Sequence, residues 1–149
     1  MGAIVGLYGK FAPGELQRLG MAMMDSLRIA GAVRNGALHT DEFFMGCSLL
    51  SAEERMYGER LPAVCRRRGL AIAADAVIDN RRELFMRLGV ESERQKTMSD
   101  SDLILAAYTA WGEDAPKHLI GDFAFVIWDA RRQTLFGARD LLGSRSLYY

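Results

Sequence analysis

The sequence predicts an α+β or layered-sandwich fold, and the order of its elements carries this prediction. Strand-like segments come first, helix-like segments occupy the middle, and an aromatic-rich hairpin closes the chain. A doubly wound βαβ fold would instead alternate strands and helices throughout. The chain has 149 residues, and half of them are hydrophobic. A chain of this length can bury one core without disulfides. We therefore expect one domain over residues 1–149.

The first third of the chain is expected to hold two strands, a helix and a loop. The segment "AIVGLY" predicts a strand over residues 3–8, and "FFMGCSLLSA" predicts a short buried strand. Pro13 suits a first helical turn, and "GAVRNGALHTDE" predicts a loop because Asn-Gly is a turn signal. Apolar residues then recur at helical spacing: Leu16, Leu19, Met23 and Leu27. The methionines of this helix are interpreted as core filler: Met21, Met23 and Met24.

The middle of the chain predicts one strand and two helices. The strand "GLAIAADAVIDN" is expected to turn near Asp75. The helix "NRRELFMRLG" would have Asn80 as its N-cap and Gly89 as its stop. The clearest helix, "TMSDSDLILAAYTAWG", would be capped by Ser99 and ended by Gly112. Leu103, Ala106, Ala107 and Ala110 are predicted to line one face of this helix.

The last third predicts a hairpin, "GDFAFVIWDA" and "TLFGARD" joined by "RRQ". Arg139 and Asp140 are expected to hold its end by a local ion pair, and Trp111 and Trp128 are interpreted as core aromatics. The final "LYY" predicts another strand, so we expect the sequence to be truncated at the C-terminal end of its domain.

Charge and cysteine usage exclude several classes of protein. Lys plus Arg equals Asp plus Glu at 19 each, which gives no electrostatic case for nucleic acid or an anionic membrane surface. The run Arg66–Arg68 is interpreted as a solvated turn. Cys47 and Cys65 have no metal-ligand spacing, so no metal site is predicted. The sequence lacks a secretory signal and a membrane span, and we expect a cytoplasmic protein with free thiols.

Four segments together carry a family resemblance: "AIVGLY", "NRREL", "SDSDLILAAYTAWGEDAPKHLIGDFAFVIWDARR" and "LFGARDLLGSRSLYY". They resemble the glutaminase domain of asparagine synthetases, a class II glutamine amidotransferase. The resemblance is thin from Ala30 to Arg68. It implies the four-layer α/β/β/α sandwich of N-terminal-nucleophile hydrolases. It also implies that an ATP-dependent synthetase domain follows, so ATP and Mg²⁺ are expected there and no cofactor is expected in this domain.

The family's chemistry depends on residues that this sequence has mostly lost. The family uses an N-terminal cysteine as nucleophile, an Asn-Gly pair as oxyanion donors, an arginine that clamps the substrate carboxylate, and an aspartate that binds the ammonium. The resemblance places Gly2 at the nucleophile position, Asp75 and Ala76 at the oxyanion positions, and Leu49 at the clamp. Only the aspartate remains, as Asp100. These residues define a relic pocket without a catalytic residue.

The size of each loss predicts an inactive glutaminase. In a serine protease, removing the nucleophile costs about 10⁶ in turnover, and losing an oxyanion donor costs roughly 10²–10³. The sequence of the second half of the chain looks closest to that of lasso peptide cyclases. The β-lactam synthetases are a second branch of the same family. In both branches the substrate supplies its own amine. We therefore expect a degenerate scaffold domain in an amide-forming ligase.

Alternatives remain open at this stage. A stand-alone module of the same fold could bind a cationic ligand or a peptide amine between Asp75 and Asp100, while Asp100 could equally be a helix N-terminal charge. Residual glutaminase activity would need Cys47 as a substitute nucleophile. The expected partners are a synthetase domain in cis and a precursor peptide, with a homodimer through the sheet edge near "LYY".

Overall fold

The computed structural model describes residues 2–27, 32–50 and 60–149, and only the backbone of residues 32–35, 49 and 50. The strands are β1 (Ala3–Tyr8), β2 (Ala32–His39), β3 (Phe43–Leu50), β4 (Ala63–Cys65), β5 (Leu70–Ile78), β6 (Gly121–Asp129) and β7 (Thr134–Arg139). The helices are α1 (Glu15–Ser26), α2 (Arg81–Leu88), α3 (Ser92–Gln95) and α4 (Asp100–Trp111), followed by a 3₁₀ helix over Gly112–His118. None of the described helices is long and apolar enough to cross a bilayer.

Two antiparallel sheets form the centre of the molecule. The first has the strand order β1-β3-β2 and the second β4-β5-β6-β7. Met45 and Cys47 of β3 share one buried core with Ile72 of β5 and Ile127 of β6, so the sheets pack face to face. Helix α1 packs on the first sheet, and α4 packs on β5 of the second. This α/β/β/α order confirms the expected fold class.

Strand β3 shows why this layering needs a continuous apolar run. Phe43, Met45 and Cys47 belong to the core between the sheets, whereas Phe44 belongs to a second core with Val5 and Leu16 under α1. Because successive side chains point to opposite faces, a strand that is covered on both sides carries apolar residues at every position. The segment "FFMGC" meets this requirement.

Local signals correctly predicted the ends of α2 and α4. Ser99 caps α4 in a capping box with Asp102, and Gly89 ends α2 in the left-handed conformation with φ 64°. Asn80 is the N-cap of α2 but makes no side-chain cap bond there. Its side chain instead donates to the His118 carbonyl and accepts from the Ile120 amide, which ties α2 to the start of β6.

Two predictions for the chain path were wrong. The expected loop "GAVRNGALHTDE" contains β2, and Asn35–Gly36 pairs with Ser48 and Cys47 of β3. A Cβ atom at Gly36 would lie 2.1 Å from the Leu61 carbonyl oxygen, so this glycine permits a close backbone approach rather than a turn. Strand β5 also continues through Asp75, which pairs with Ala124 without a turn.

Several predictions about which side chains are buried were wrong, because tertiary packing rather than local sequence determines burial. Met21 and Met23 are exposed, and only Met24 of this group packs against the α1 core. Ala110 is exposed on α4. Both tryptophans contact the core as expected, Trp128 buried and Trp111 half-buried against it. The final "LYY" forms no strand in the described chain, because Tyr148 and Tyr149 extend into solvent.

Candidate functional site

A cavity of about 770 Å³ opens at the head of β1. Its walls come from β1, the end of α1, strands β5 to β7, and the segment that follows β7. Most of its lining is apolar, with Ile4, Leu135 and Leu147 among the wall residues, while Asp75 and Arg145 are its charged residues. Gly2 lies at the cavity as well, so the start of the chain and Asp75 share one site.

The cavity is shaped by a close approach between the two sheets. A Cβ atom at Gly6 of β1 would lie 3.1 Å from Leu135 and 3.3 Å from Val126. Because glycine has no side chain, β1 can lie directly on β6 and β7 at this position. The cavity adjoins this contact, since Gly6, Val126 and Leu135 also line it.

An ion pair between Asp75 and Arg145 lies in the cavity wall. Arg145 Nη1 is 3.5 Å from Asp75 Oδ2, and the two side chains are only 14% and 7% exposed. Asp75 comes from the centre of β5, whereas Arg145 comes from the turn after β7. The pair therefore joins the last residues of the chain to the second sheet.

Asp140 positions Arg145. The backbone amides of Ser144, Arg145 and Phe123 donate to its carboxylate at 2.9, 3.0 and 3.3 Å. Burial alone would raise the pKa of Asp140, but these N–H bonds outweigh it and lower the pKa to about 2. The predicted Arg139–Asp140 ion pair is not among the contacts of the described residues, because backbone amides occupy this carboxylate.

The structure separates Asp100 from the other predicted pocket residues. Its carboxylate pairs with Arg81 and accepts the Ile78 amide at 3.2 Å, and Asp100 does not line the cavity. Burial raises the pKa of Asp100, and the Ile78 hydrogen bond and the Arg81 charge oppose this rise. This placement agrees with the alternative in which Asp100 serves the structure at the start of α4.

The other predicted pocket residues lie around Asp75 without converging on it. Ala76 is half-buried against the core on the opposite face of β5, because successive side chains alternate. The backbone of Leu49 pairs with Arg34 in β2, and its side chain lies outside the described residues. The residues that the structure brings together are thus Gly2 and Asp75.

Neither thiol lies at this cavity. Cys47 is fully buried between the sheets, opposite Ile4, and Cys65 is half-buried at the end of β4. Within the described ranges, no three His, Cys, Asp or Glu side chains are placed to hold a metal ion.

Arg145 is the site residue that sequence reasoning missed. It lies in "ARDLLGSRSLYY", the same segment that carried the resemblance. Its role depends on a partner 70 positions earlier in the chain, and local spacing gives no sign of such a pair. The buried acid at the centre of the apolar strand β5 was the available signal, since a buried carboxylate requires a partner.

The two packed sheets, their outer helices and the cavity at the head of β1 define an α+β domain of the N-terminal-nucleophile hydrolase type. The family model described as "Glutamine amidotransferase domain" matches residues 51–149. The chain belongs to this family of glutamine amidotransferase domains.

Curated relatives agree with this assignment. "Asparagine synthetase [glutamine-hydrolyzing] 3" of Bacillus subtilis is 35% identical over 94 residues, or 62% of this chain and 15% of the relative. "Amidase chyE" of Penicillium rubens is 51% identical over 51 residues, or 34% of this chain and 8% of the relative. "Asparagine synthetase [glutamine-hydrolyzing]" of Triphysaria versicolor is 30% identical over 122 residues, or 82% of this chain and 20% of the relative. The chain therefore spans only a small part of the length of these relatives.

Proposed function

We propose that this chain is a glutaminase-inactive amidotransferase-like domain of an asparagine-synthetase-like, ATP-dependent amide-forming ligase, in which it braces the synthetase domain. One observation carries the proposal: the cavity at the head of β1 contains Gly2 and the Asp75–Arg145 ion pair. Glutamine cleavage would need a thiol and anion-stabilising donors at such a site.

The electrostatics of the cavity support this proposal. Hydrolysis of an amide passes through an oxyanion, which neutral N–H donors stabilise. Asp75 is 6% exposed, and its carboxylate would repel an oxyanion that forms beside it. Arg145 offsets part of that charge by pairing with Asp75 at 3.5 Å.

We further propose that the parent ligase belongs to the branch of lasso peptide cyclases, with β-lactam synthetases as the related alternative. The support is the family resemblance together with the absence of the family's nucleophile, oxyanion donors and clamp arginine from the matching positions. A substrate that carries its own amine needs no ammonia from glutamine. The synthetase domain would bind ATP and Mg²⁺ and activate a carboxylate of a precursor peptide, and the present domain would serve as its cytoplasmic scaffold.

The test is glutamate release from glutamine by the full-length protein and by two variants. We expect no release above background from the natural protein or from Gly2→Cys, because Asp75 still disfavours the oxyanion. The triple variant Gly2→Cys/Asp75→Asn/Ala76→Gly restores the family's nucleophile and donors, so we expect it to gain measurable release. Rates near those of a competent glutaminase from the natural protein would contradict the proposal.

The second candidate is a stand-alone binding module. The size and apolar lining of the cavity favour it. The Asp75–Arg145 pair weakens the expectation of a cationic ligand, because Asp75 already faces a positive charge. A reading frame that continues into a synthetase domain with a pyrophosphate-binding motif would favour the ligase, and one that stops at Tyr149 would favour the module.

A residual glutaminase that uses Cys47 is the least supported candidate. The thiol is fully buried, so a substrate carbonyl would have to enter the core to reach it. Treatment with a glutamine-mimicking electrophile tests this candidate by mass spectrometry. We expect no adduct on Cys47, and stoichiometric labelling there would revive the candidate.

A further inference from the structure

Arginines cluster at one end of the second sheet, on two neighbouring turns. The turn between β4 and β5 and the turn between β6 and β7 lie side by side because β5 and β6 are antiparallel neighbours, with Leu70 opposite Asp129. We call this group the arginine end; its members are Arg66, Arg67, Arg68, Arg131 and Arg132. All five are exposed.

Hydrogen bonds hold the two turns together. The Ala130 amide donates to the Gly69 carbonyl at 2.9 Å, and Arg131 Nη2 donates to the Arg67 carbonyl at 3.2 Å. The amides of Arg131 and Arg132 both donate to Asp129 Oδ1, at 3.0 and 3.2 Å. The backbone at the arginine end is therefore ordered before any partner arrives, which reduces the entropy lost on binding.

The positive charge of the arginine end is poorly neutralised. Arg132 lies 3.5 Å from Glu113, and both side chains are largely exposed. Among the ion pairs of the described residues, none involves the run Arg66–Arg68, and Arg131 bonds a carbonyl rather than a carboxylate. Adjacent like charges repel one another, so an external anion would relieve this repulsion.

We propose that the arginine end binds a short acidic segment of a polypeptide. Guanidinium groups bind carboxylates through paired N–H donors, which suits Asp and Glu side chains. The two turns carry no aromatic residue on which a base could stack, and the chain as a whole is neutral, so its field does not favour an extended polyanion such as RNA. This inference is independent of the glutaminase proposal, because none of the five arginines lines the cavity at the head of β1.

The test is fluorescence anisotropy with the full chain and a labelled peptide of five glutamates, one for each arginine of the arginine end. We expect saturable binding that weakens as salt rises, because exposed charge pairs are screened. The variant Arg66→Gln/Arg67→Gln/Arg68→Gln should bind about five- to thirty-fold more weakly, since it removes three exposed charge pairs. A peptide of glutamines should not bind.

The matched control is Arg18→Gln/Arg82→Gln/Arg94→Gln, which removes the same charge from exposed arginines on α1, α2 and α3. It should leave the affinity within about two-fold. Circular dichroism checks that both variants are folded. Equal weakening in the two variants, or no binding by the natural chain, would overturn the proposal. Tighter binding of a single-stranded RNA that the turn variant alone abolishes would assign the patch to nucleic acid and would also overturn it.

Discussion

Asp140 contributes to stability through three backbone amides, and its pKa makes that contribution depend on pH. Its folded pKa of about 2 lies below the ordinary value of 3.8. The stabilisation is therefore present in full above the unfolded value and is lost as the pH falls toward about 2. We expect Asp140→Asn to lower the free energy of unfolding at neutral pH by about 2 kcal/mol.

Urea unfolding of Asp140→Asn and the natural chain, between neutral pH and about pH 2, measures this effect. The difference between the two proteins should shrink as the pH falls, because protonated Asp140 no longer accepts strongly. The exposed carboxylate Asp122 supplies the control, and Asp122→Asn should change little. A pH-independent difference would show that shape rather than charge decides the effect.

The buried pair of Arg81 and Asp100 makes a second prediction at this scale. Arg81 also donates to the Met98 carbonyl, so it joins the start of α2 to the start of α4. Arg81→Met would leave the Asp100 carboxylate buried without its cation, and we expect a loss of about 3 kcal/mol. Exposed Arg82 offers a neighbouring control, and Arg82→Met should stay within about 0.5 kcal/mol.

Thermal and urea unfolding measure both variants. Burial already raises the pKa of Asp100, and removing Arg81 raises it further. The destabilisation of Arg81→Met should therefore be partly recovered in mild acid, where Asp100 takes up a proton. A loss in Arg82→Met as large as that in Arg81→Met would count against a specific role of this ion pair.

What the sequence revealed about single residues depended on the distance between partners. The Ser99 cap and the Gly89 stop involve neighbours within one helical turn, so their signals are local. The Asp75–Arg145 pair and the Arg81–Asp100 pair join residues far apart in the chain. Their formation depends on how the elements pack, which no spacing in the sequence expresses.

At the scale of elements, α1 lies on the first sheet because one of its residues has no side chain. A Cβ atom at Gly20 would lie 2.3 Å from the Phe44 ring. Helix propensity alone predicts that Gly20→Ala would add about 1 kcal/mol to stability. We expect the opposite sign, a loss of about 1 kcal/mol or more, because overpacking displaces α1 or Phe44.

The unfolding free energy of Gly20→Ala decides between the two effects. Gly137→Ala is the control, since its Cβ atom would meet its nearest neighbour, Leu147, at an ordinary 3.5 Å. This variant should be close to neutral. If Gly20→Ala were more stable than the natural chain, α1 or the Phe44 ring could shift at little cost to make room for the added methyl group.

The sequence predicted an element correctly where its apolar pattern was strong. It failed where pairing with a neighbouring strand determined the structure. The strands β1, β3 and β6 carry continuous apolar runs that predict them directly. Strand β2 contains Asn35 and Gly36, whose turn signal outweighed its weak apolar pattern. It forms because β3 pairs with it continuously from Arg34 opposite Leu49 to His39 opposite Phe44, with a bulge before the last pair, Ala32 and Leu50.

At the scale of the whole molecule, the order of the layers could be predicted from the order of the elements together with the family resemblance. The composition of the site could not be predicted in this way. Gly2 and Asp75 meet because β1 and β5 belong to different sheets that pack face to face. Asp100 was expected beside them, but α4 carries it to the Arg81 side of β5. The expected pocket therefore divides into a cavity and a separate ion pair.

The edge strands lead to a prediction about assembly. In the described sheets, β1 and β7 each pair with one neighbour. Each therefore presents, along its other side, a row of backbone N–H and C=O groups that no strand of these sheets pairs with. Such edges favour pairing between chains, and we propose that the chain forms homodimers through the edge near "LYY", on the side of β7. Sedimentation velocity at increasing protein concentration should reveal a dimer, and a single monomeric species at the highest concentration would contradict this expectation.

The contact between Tyr108 and Asp129 links the interior of the fold to its alkaline behaviour. The Tyr108 hydroxyl donates to Asp129 Oδ2 at 3.4 Å, while the other oxygen of the same carboxylate holds the turn that carries Arg131. Burial, reinforced by the charge of Asp129, raises the pKa of Tyr108, so the folded chain retains this proton more tightly than the unfolded one. Ionisation of Tyr108 in strong base would thus place two negative charges beneath the hairpin tip, so the loss of this proton should accompany alkaline unfolding of the chain.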